Sequence, residues 1–396
     1  MSPAATATMA PAQEAGRPQP QTTIEPPGGP FIRHSQPGIR QIYANSGNAL
    51  GGVVQQPLTA WPGYGRKFRV RMNASGGSAS GAIVAQADAP YSGISQIILK
   101  DAFGTPLVVG PGYDMLKLVP KYGNQHFMFN ASDPQNLPSW SAIATASGLS
   151  AGNFNFQTAL PLEFAKAYGV ISGANAALLP NLQWTLAGSS ALYSTAPGTP
   201  PTVELDVDVE FYWLPEGVNV DPPGLGTTCQ WIYQSCNPTI GSNSTTRAQL
   251  PRLGGYLHTL IFDLRDSSAT PARIDAWPTR DRIYVDGVPI YDIRDDAWKD
   301  DMFNQFGMAN FAGSNTFNAN GTIETGVRVL TRKNSLSQLP LGLLDTGETY
   351  LSTNPGTLIE FEGASWGSSG TSPYTLNVVV GQVVPSGTLI QGLPEV

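Results

Sequence analysis

The two halves of this 396-residue chain follow one order of sequence elements, although few residues are identical. Each half has a strand pattern, then two strands around a tight turn, a short helical pattern, and two later strand patterns. The matched segments are GRKFRVRMNASG (65–76) with GGYLHTLIFDLRDS (254–267), IILKDAFGTPLVV (97–109) with RIYVDGVPIYDI (282–293), PGYDMLKLV (111–119) with RDDAWKDDMF (294–303), FNFQTALPL (154–162) with GVRVLTRKNSLSQLP (326–340), and VEFYWLPEG (209–217) with VVVGQVVPSG (378–387). Self-similarity at half the chain length predicts one fold that is used twice.

Short runs of alternating apolar and polar residues predict that this fold is made of strands. Phe68 and Val70 alternate with charged residues in GRKFRVRM, which is the period of a half-buried strand. The 43 Gly and 34 Pro residues are scattered between such runs, as turn residues are in an all-β protein. Tyr113 and Leu116 have helical spacing, and the segment at 294–303 is their counterpart, so each half also contains one short helix.

Length and local composition divide the chain into five parts. One hydrophobic core rarely serves a chain of this length, so two domains are expected. The first 30 residues have almost no bulky apolar side chain and predict a flexible arm, and DPPGLGTTCQWIYQSCNPTIGSNSTT has the Pro, Gly and Ser content of a linker. The predicted parts are an arm at 1–30, a first domain at 31–222, a linker at 223–244, a second domain at 245–392 and a tail at 393–396.

The charge composition argues against nucleic acid as a partner. Charged residues make up 13% of the chain and the formal net charge is −7, so no sequence-specific binding to nucleic acid is expected. The N-terminus lacks the basic start and apolar core of a secretory signal, and no stretch approaches 18 apolar residues. We therefore expect the protein to be made and assembled in a cytoplasm. A low charge content is also typical of surfaces that become buried in oligomers.

The layout of these elements resembles that of a known viral family. The stretches that carry the resemblance are GRKFRVRMNASG, ISQIILKDAFGTPLVVGPGYDMLKLV and the closing strand VELDVDVEFYWLPEG. In this layout the chain resembles the double jelly-roll major capsid proteins of tectiviruses, which are bacteriophages of the lineage that includes the adenovirus hexon. The resemblance implies an all-β fold of two tandem eight-stranded jelly-roll β-barrels with short helices in loops. It also implies a structural protein of the virion, without enzymatic activity or cofactor.

The same resemblance implies the partners of the chain. Members of the family form homotrimers with a hexagonal footprint, which tile an icosahedral capsid beside neighbouring capsomers and minor capsid, vertex or penton proteins. An internal membrane often lies beneath the shell. The arm at 1–30 departs from the amphipathic helix that is expected against lipid, so contact with membrane lipid stays an open alternative.

Seven charged residues predict an ion-pair ladder on the first roll. In a jelly roll the first and last strands are antiparallel neighbours, which places the strand of GRKFRVRM beside VELDVDVEFYW. Carboxylates spaced about 7 Å apart along one strand repel one another unless cations on the next strand neutralise their charge. The residues of the predicted ladder are Lys67, Arg69, Arg71, Glu204, Asp206, Asp208 and Glu210. The alternative is a calcium site between subunits, since aligned carboxylates suit that cation.

Two cysteines and two aromatic residues lie in the predicted linker between the barrels. Cys229 and Cys236 flank Trp231 and Tyr233. The spacing of the cysteines is not that of a zinc site, and a disulfide between them is an alternative to two free thiols. The aromatic pair is predicted to pack where the two barrels meet, or at an interface between subunits.

The sequence predicts no catalytic or metal-binding motif. GASWG fits the Gly-x-Ser-x-Gly pattern around Ser365, but no helical pattern and no later His follow it. The three histidines, His34, His126 and His258, have no ligand spacing with one another or with Cys. The acidic run at 295–301 lacks the loop of an EF-hand and predicts a solvated helix face or a subunit contact.

Two other classes of function remain as alternatives. A β-sandwich phage protein that binds a receptor or a carbohydrate would show an exposed aromatic platform and a trimeric fibre region. A β-sandwich glycoside hydrolase needs two carboxylates about 5–9 Å apart in a cleft. The carboxylates at 204–210 fit that spacing, but they are predicted to lie on a flanking strand beside cations. The capsid protein is therefore the favoured hypothesis.

Overall fold

The computed structural model describes most of the chain after residue 28. The described residues are 29–78, 81, 83–86, 88–123, 139–141, 152–164, 169–217, 220, 227–250, 254–269, 271–306, 310–312, 322–332 and 350–385. Only the last two residues of the predicted arm at 1–30 fall within this part, and the predicted tail at 393–396 lies outside it.

Strands dominate the described chain, and they are numbered in chain order. In the first half they are β1 (Gln36–Asn48), β2 (Val53–Gln55), β3 (Tyr64–Ser75), β4 (Val84–Ala85), β5 (Ile94–Lys100), β6 (Pro106–Gly110), β7 (Ser139–Ser141), β8 (Asn153–Pro161), β9 (Ile171–Ser172), β10 (Asn181–Leu186), β11 (Tyr193–Thr195) and β12 (Thr202–Trp213). In the second half they are β13 (Thr227–Ile240), β14 (Thr245–Gln249), β15 (Tyr256–Arg265), β16 (Pro278–Val285), β17 (Val288–Arg294), β18 (Asn310–Ala312), β19 (Thr322–Glu324), β20 (Val327–Thr331), β21 (Leu351–Ser352), β22 (Ile359–Trp366) and β23 (Tyr374–Pro385).

Helices are short and connect strands. The minor ones are Gly29–His34, Tyr91–Gly93, Ala176–Leu178 and Ser189–Leu192. Two longer helices lie where the sequence predicts short ones, each directly after a hairpin. We call Asp114–Gly123, which is wound as a π-helix, the junction helix, and Asp295–Phe306 the second-roll helix.

Two pairs of sheets have the same strand order, and each pair forms a jelly roll. In the first roll the orders are β1-β12-β3-β8 and β2-β10-β5-β6. In the second roll they are β13-β23-β15-β20 and β14-β22-β16-β17. When the eight main strands of each roll are counted from 1 to 8, both rolls have the orders 1-8-3-6 and 2-7-4-5. The prediction of two tandem eight-stranded jelly rolls is confirmed.

The two rolls share one continuous sheet. β6, the last strand of the β2-β10-β5-β6 sheet, pairs in parallel with β13, so the sheet continues through β13-β23-β15-β20. Trp231 lies opposite Val108 and Ile232 opposite Val109. A parallel pair needs a long connection between its strands, and most of the first roll lies between these two in the sequence. One sheet thus forms a wall of both rolls.

The segment whose composition predicts a linker at 223–244 is mostly a strand. Residues 227–240 form the 14-residue strand β13. TCQWIY is rich in residues that favour strands, and the Pro and Gly residues that suggest a linker lie on either side of it. β13 pairs along its length with β23, the last strand of the second roll. The second roll therefore begins before 245, while the other domain boundaries stay predictions.

The strands of the two rolls differ in how many of their faces are buried. β12 buries Val203, Leu205, Val207 and Val209 on the face towards the core, and of the residues between them only Asp206 is buried. β15 is buried over eight consecutive residues, from Leu257 to Leu264. A continuous buried run is typical of a strand that is covered on both faces. One face of β15 packs on the core of the second roll. The other face packs towards the first roll, against the helix at 114–123.

Candidate functional site at the junction of the two rolls

The junction helix fills the space between the two rolls. It follows β6, and all of its residues are buried. It packs against β6 and β8 of the first roll and against β13, β15 and β23 of the second. A helix that is buried all round has no polar face towards water, so its charged residues Asp114, Lys117 and Lys121 require polar or charged surroundings inside the protein.

Trp231 of β13 is the apolar centre of the junction. Its side chain is 1% exposed, and its ring lies edge to face with that of His258, with 5.1 Å between the centroids. Gly123 ends the junction helix so close to Trp231 that a Cβ there would lie 2.3 Å from the indole. A Cβ at Gly381 in β23 would lie 2.5 Å from the same ring. The two glycines therefore let the helix and the sheet close around the indole.

A largely buried cluster of three carboxyl groups and two guanidinium groups links the rolls, with Asp114 and Asp263 fully buried. Asp88 and Asp114 come from the first roll, whereas Asp263, Arg265 and Arg273 come from the second. Arg265 lies 2.5 Å from Asp88 through Nη1 and 2.5 Å from Asp263 through Nε. Arg273 donates from Nε to the other oxygen of Asp88 at 2.9 Å. The cluster thus makes ion pairs across the junction.

The balance of charges determines where this cluster holds a proton. Burial raises the pKa of Asp114 to about 8, and the neighbouring Asp263 carboxylate adds to the rise. Burial also raises the pKa of Asp263, against the effect of Arg265. For Asp88, burial acts in the same direction, but Arg265 and Arg273 outweigh it and lower the pKa. With two guanidiniums for three carboxyls, a neutral Asp114 balances the cluster at pH 7.

We expect Asp114→Asn and Asp88→Asn to affect stability differently. Because the pKa of Asp114 is raised, the folded protein holds a proton that the unfolded chain releases above about pH 4, and wild-type stability falls as the pH rises towards 8. The amide of Asp114→Asn has no such proton to lose, so this variant should gain stability relative to wild type between about pH 5 and pH 8. Asp88→Asn should destabilise the protein both at about pH 5 and at about pH 8, because it removes the anion between two guanidiniums. Urea unfolding at each pH measures both differences, and a pH-independent difference for Asp114→Asn would contradict this assignment of the proton.

A second buried ion pair joins the junction helix to the second roll. Lys121 donates from Nζ to Glu324 Oε1 at 2.7 Å, and the two side chains are 1% and 7% exposed. The Tyr122 hydroxyl donates to the other oxygen of Glu324, and the Tyr122 ring packs edge to face on Phe306 at 5.1 Å. Burial would raise the pKa of Glu324, but Lys121 and Lys117 outweigh it and lower the pKa to about 2. Glu324 is therefore ionised at neutral pH.

These contacts suit a junction that holds two bodies together. Asp88 forms ion pairs with the guanidiniums of Arg265 and Arg273. Glu324 accepts hydrogen bonds from the Lys121 ammonium and the Tyr122 hydroxyl. Charged groups that are fully engaged with one another fix the relative position of the surfaces that carry them. Within the described ranges, no group of three or more His, Cys, Asp or Glu residues is placed to hold a metal ion.

The structure brings the predicted ladder residues onto neighbouring strands, but not as the first and last strands of the roll. β3, which carries the three cations, is the third strand of the first roll, and β1 is the first. β12 lies between β1 and β3 and pairs with both. The register places cations opposite carboxylates: Lys67 and Glu210, Arg69 and Asp208, Arg71 and Asp206. Glu204 lies opposite Asn73 and accepts a hydrogen bond from its amide at 3.2 Å.

The ion pairs of the ladder are partly exposed. Lys67 Nζ lies 3.0 Å from Glu210 Oε2, and Arg69 also contacts the Glu210 carboxylate. Arg71 donates from Nε to Asp206 Oδ2 at 2.9 Å. The Arg71 side chain is 57% exposed, whereas that of Asp206 is 7% exposed. Solvent and salt therefore screen this pair from one side.

We expect Arg71 and Asp206 to be coupled by about 0.2–1 kcal/mol, as opposite charges on neighbouring strands are. A double-mutant cycle of Arg71→Ala and Asp206→Asn in urea unfolding measures this coupling energy. The coupling should become smaller in about 0.5 M NaCl, because the guanidinium is exposed. A coupling energy above about 2 kcal/mol that did not respond to salt would contradict a surface ion pair.

The residues of the predicted linker lie on β13. Cys229 and Cys236 are both buried, and no disulfide joins them. At the rise of a strand they are about 23 Å apart, which is too far for a disulfide between them. Trp231 is the junction residue described above, and Tyr233 is half-buried beside Gly110 at the end of β6.

The other sequence motifs lie apart from one another. Ser365 is exposed at the end of β22, and residues 367–373 after it form an irregular loop with bends at 370–373, which is not the strand-turn-helix elbow of a hydrolase. His258 is buried at the junction, where its Nδ1 lies 2.9 Å from Thr259 Oγ1. His34 ends a short helix, and His126 lies outside the described residues.

The buried charges of the junction are functional candidates that the sequence-based prediction missed. The signal was present in β15, where Asp263 interrupts the apolar run LIFDL. It was also present in the junction helix, where Asp114, Lys117 and Lys121 share one face at i, i+3 and i+7. Such a face normally points to water, and only the position of the second roll shows that it is buried.

Comparison with known proteins places the fold. No family model and no curated protein matches the sequence. Among solved structures the chain is similar to the MCP of STIV, the Sulfolobus turreted icosahedral virus, at 12% identity and a TM-score of 0.56, over 87% of this chain and 96% of that one. It is similar to the Faustovirus major capsid protein at 11% identity and a TM-score of 0.55, over 88% and 90% of the two chains. It is also similar to the PBCV-1 virus capsid at 12% identity and a TM-score of 0.50, over 91% and 97%.

The chain therefore has the double jelly-roll fold of viral major capsid proteins. The matches extend over nearly the whole length of both chains, so they include both rolls and the shared sheet between them. The helices of the described part are all too short or too polar to cross a membrane.

Proposed function

We propose that this chain is a viral major capsid protein that assembles as homotrimers in an icosahedral shell. The observation that carries the proposal is the pair of jelly rolls with one strand order, joined through one sheet, which is the fold of proteins described as viral capsid proteins. Three chains with two similar rolls each supply six similar barrels. Six barrels around one axis give the hexagonal footprint that tiles a shell.

The proposal also covers partners and location. The protein would be a structural component of the virion, in contact with neighbouring capsomers and with minor capsid, vertex or penton proteins, after assembly in the host cytoplasm. It would have neither enzymatic activity nor a cofactor. The formal net charge of −7 supports protein partners rather than nucleic acid. Contact with membrane lipid would involve the arm at 1–30, of which residues 1–28 lie outside the described part.

The ladder and the β13 residues have structural roles in this proposal. The ladder neutralises the outer face of the first roll, where cations of β3 answer the carboxylates of β12. Trp231 and Tyr233 fix the junction between the rolls. Cys236 acts as a small apolar residue in β13, and the sulfur of Cys229 lies 3.6 Å from His258 Nε2.

The first test is the mass of the purified full-length protein by light scattering on a sizing column. The proposal predicts about 126 kDa, three times the chain mass of 42.0 kDa, and this mass should not change on dilution. Electron microscopy of the concentrated trimer should then show hexagonal arrays. A monomer of 42.0 kDa that persists at all concentrations would overturn the proposal in favour of a β-sandwich binding module or hydrolase, which glycan-binding and glycan-release assays would distinguish.

A further inference from the structure

The contact between the two rolls of one chain uses one edge and one face of the second roll. The edge is β13, which pairs with β6, and the face is the side of β13-β23-β15 that the junction helix covers. The first roll has the same edge in β1 and the same face on β1-β12-β3. In the described part of the chain, β1 pairs only with β12, and no strand lies beside its outer edge from Gln36 to Gln41. The first roll therefore presents a copy of the surface that the second roll uses.

The second roll likewise presents a copy of the surface that the first roll uses. β17 corresponds to β6, because both follow a tight turn and both have an irregular register just after a proline, Pro289 and Pro106. As far as the structure describes the chain, β17 pairs only with β16, and its outer edge is unpaired. An unpaired edge of a sheet offers backbone hydrogen-bonding groups to another strand.

The strand register extends the correspondence of the edges to single residues. Trp231 of β13 lies opposite Gly381 of β23, and Ile39 of β1 lies opposite Glu210 of β12. Gly381 and Glu210 are equivalent, because each stands next to the register shift between the last and the third strand of its roll. Ile39 is therefore the counterpart of Trp231, and Arg40 follows Ile39 as Ile232 follows Trp231.

The partners of these residues have counterparts on β17. Val108 and Val109, which lie opposite Trp231 and Ile232, are the second and third residues after Pro106. The second and third residues after Pro289 are Tyr291 and Asp292. If the junction within the chain is repeated between chains, Tyr291 lies opposite Ile39 and Asp292 opposite Arg40.

We propose that β17 of one copy pairs in parallel with β1 of a second copy, in this register. The proposal rests on the proposed trimer and names the edges that form it. Ile39 is 59% exposed, whereas Trp231 at the equivalent place is 1% exposed, so the contact would cover an apolar side chain that the described part of its own chain leaves exposed. It would also bring the guanidinium of Arg40 towards the carboxylate of Asp292, which pairs with Arg280 and Arg282 of its own chain, so Arg40 would add a further cation to this carboxylate.

The second-roll helix supports the same contact. It holds the place of the junction helix in the repeat, directly after β17 and against β20. Its exposed side carries Asp296, Asp300 and Asp301. In the proposed contact this acidic side covers the ladder face of the neighbouring first roll, whose Arg71 guanidinium is 57% exposed. Carboxylates of one copy thus approach a guanidinium of the next.

The proposed trimer requires this contact to close into a ring. The contact joins two different surfaces head to tail. Such contacts form a closed ring when the rotation from one copy to the next divides a full turn into equal steps. Each new contact repeats the step that relates the two rolls of one chain. A ring of six rolls consists of three copies, which is the proposed homotrimer.

Paired cysteine substitutions on the full-length chain test the register. In the Arg40→Cys/Asp292→Cys variant, the two thiols would face each other across about 5 Å of Cα separation, within the range of a disulfide. Mild oxidation should give covalent dimers and trimers on non-reducing denaturing gels. The matched control is Arg40→Cys/Val288→Cys, in which the second thiol lies about 13 Å further along β17 and should not cross-link. Each single variant and the wild type, with its two buried cysteines, should stay uncross-linked.

Light scattering of the unoxidised samples separates failure of this inference from failure of the proposed function. A trimeric mass without cross-linking of the matched pair, or with equal cross-linking of the control pair, would overturn the edge pairing and leave the trimer standing. A monomeric wild type would overturn the trimer itself. Cross-linking restricted to the matched pair in a trimeric protein supports the edge pairing.

Discussion

Replacing Arg265 with methionine is expected to lower the free energy of unfolding by about 3–5 kcal/mol. Asp263 is 1% exposed, and Arg265 donates to one of its oxygens at 2.5 Å while the other oxygen has no hydrogen-bond partner. Without Arg265, the Asp263 carboxyl must stay buried without its cation, and Asp88 keeps only Arg273. Methionine retains the apolar stem of the side chain, so the loss reports on the charge. Urea unfolding at pH 7, at one protein concentration because an oligomer's stability depends on it, measures the change.

The matched control for Arg265 is an arginine on the surface. Arg247 of β14 also pairs with carboxylates, Glu362 at 2.9 Å and Glu360 at 3.2 Å, but its side chain is 43% exposed and lies outside the proposed contact between copies. Arg247→Met is therefore expected to lower stability far less than Arg265→Met does, because solvent screens an exposed ion pair. If Arg265→Met cost no more than this control, Asp263 would not depend on a cation, and the charged cluster would not hold the rolls together.

The fold could be predicted because its signal repeats along the chain. Alternation in β3 and β12, the turn between β5 and β6, and the same series in the second half each carry local information, and the order of these elements restricts the topology. The pairing of β3 with β12 could be predicted for a related reason, because the charges of both strands alternate with apolar residues and a jelly roll makes these strands neighbours. The prediction treated β3 as the first strand of the roll, which is wrong, because β1 is the first strand and β3 is the third.

The junction could not be predicted from local patterns. β13 lies between segments rich in Pro and Gly, and the composition of the whole stretch concealed the strand within it. The junction helix has charged residues on one face, which indicates a solvated face when a helix is considered alone. Both features depend on the contact between the rolls, which joins residues more than a hundred positions apart, such as Lys121 and Glu324.

The two rolls show how one strand order can serve two different surroundings. Lys67 of β3 and Thr259 of β15 occupy the same place, directly after the register shift, and so do Arg69 and Ile261 two residues later. On the first roll these places carry cations of the ladder, which are partly exposed. On the second roll they are buried under the junction helix. The backbone, which is the same in both rolls, determines where each face of the sheet lies. The side chains on that face determine whether it is suited to solvent or to contact with a neighbouring roll.

Separating Lys121 from Glu324 is expected to be as costly as removing Arg265. Glu324→Gln leaves the Lys121 ammonium buried without its anion, and Lys121→Met leaves the Glu324 carboxylate without its cation, so each should cost about 3–5 kcal/mol at pH 7. The double variant Lys121→Met/Glu324→Gln contains neither charge and keeps an acceptor for the Tyr122 hydroxyl. It should therefore be more stable than either single variant. A double-mutant cycle in urea should then give a coupling energy of several kcal/mol, as the change in the double variant minus the sum of the changes in the two single variants.

The pH dependence distinguishes this ion pair from a simple loss of packing. The pKa of Glu324 is lowered to about 2, against an ordinary value of 4.5, so its contribution is complete above pH 4.5 and disappears as the pH falls towards 2. The stability difference between wild type and Glu324→Gln should therefore be full at pH 7 and shrink below about pH 4. A difference that stayed constant down to about pH 2 would mean that the carboxylate charge contributes nothing. In that case the Lys121 and Glu324 side chains would join the rolls by packing and neutral hydrogen bonds, and acid would not weaken the junction at this pair.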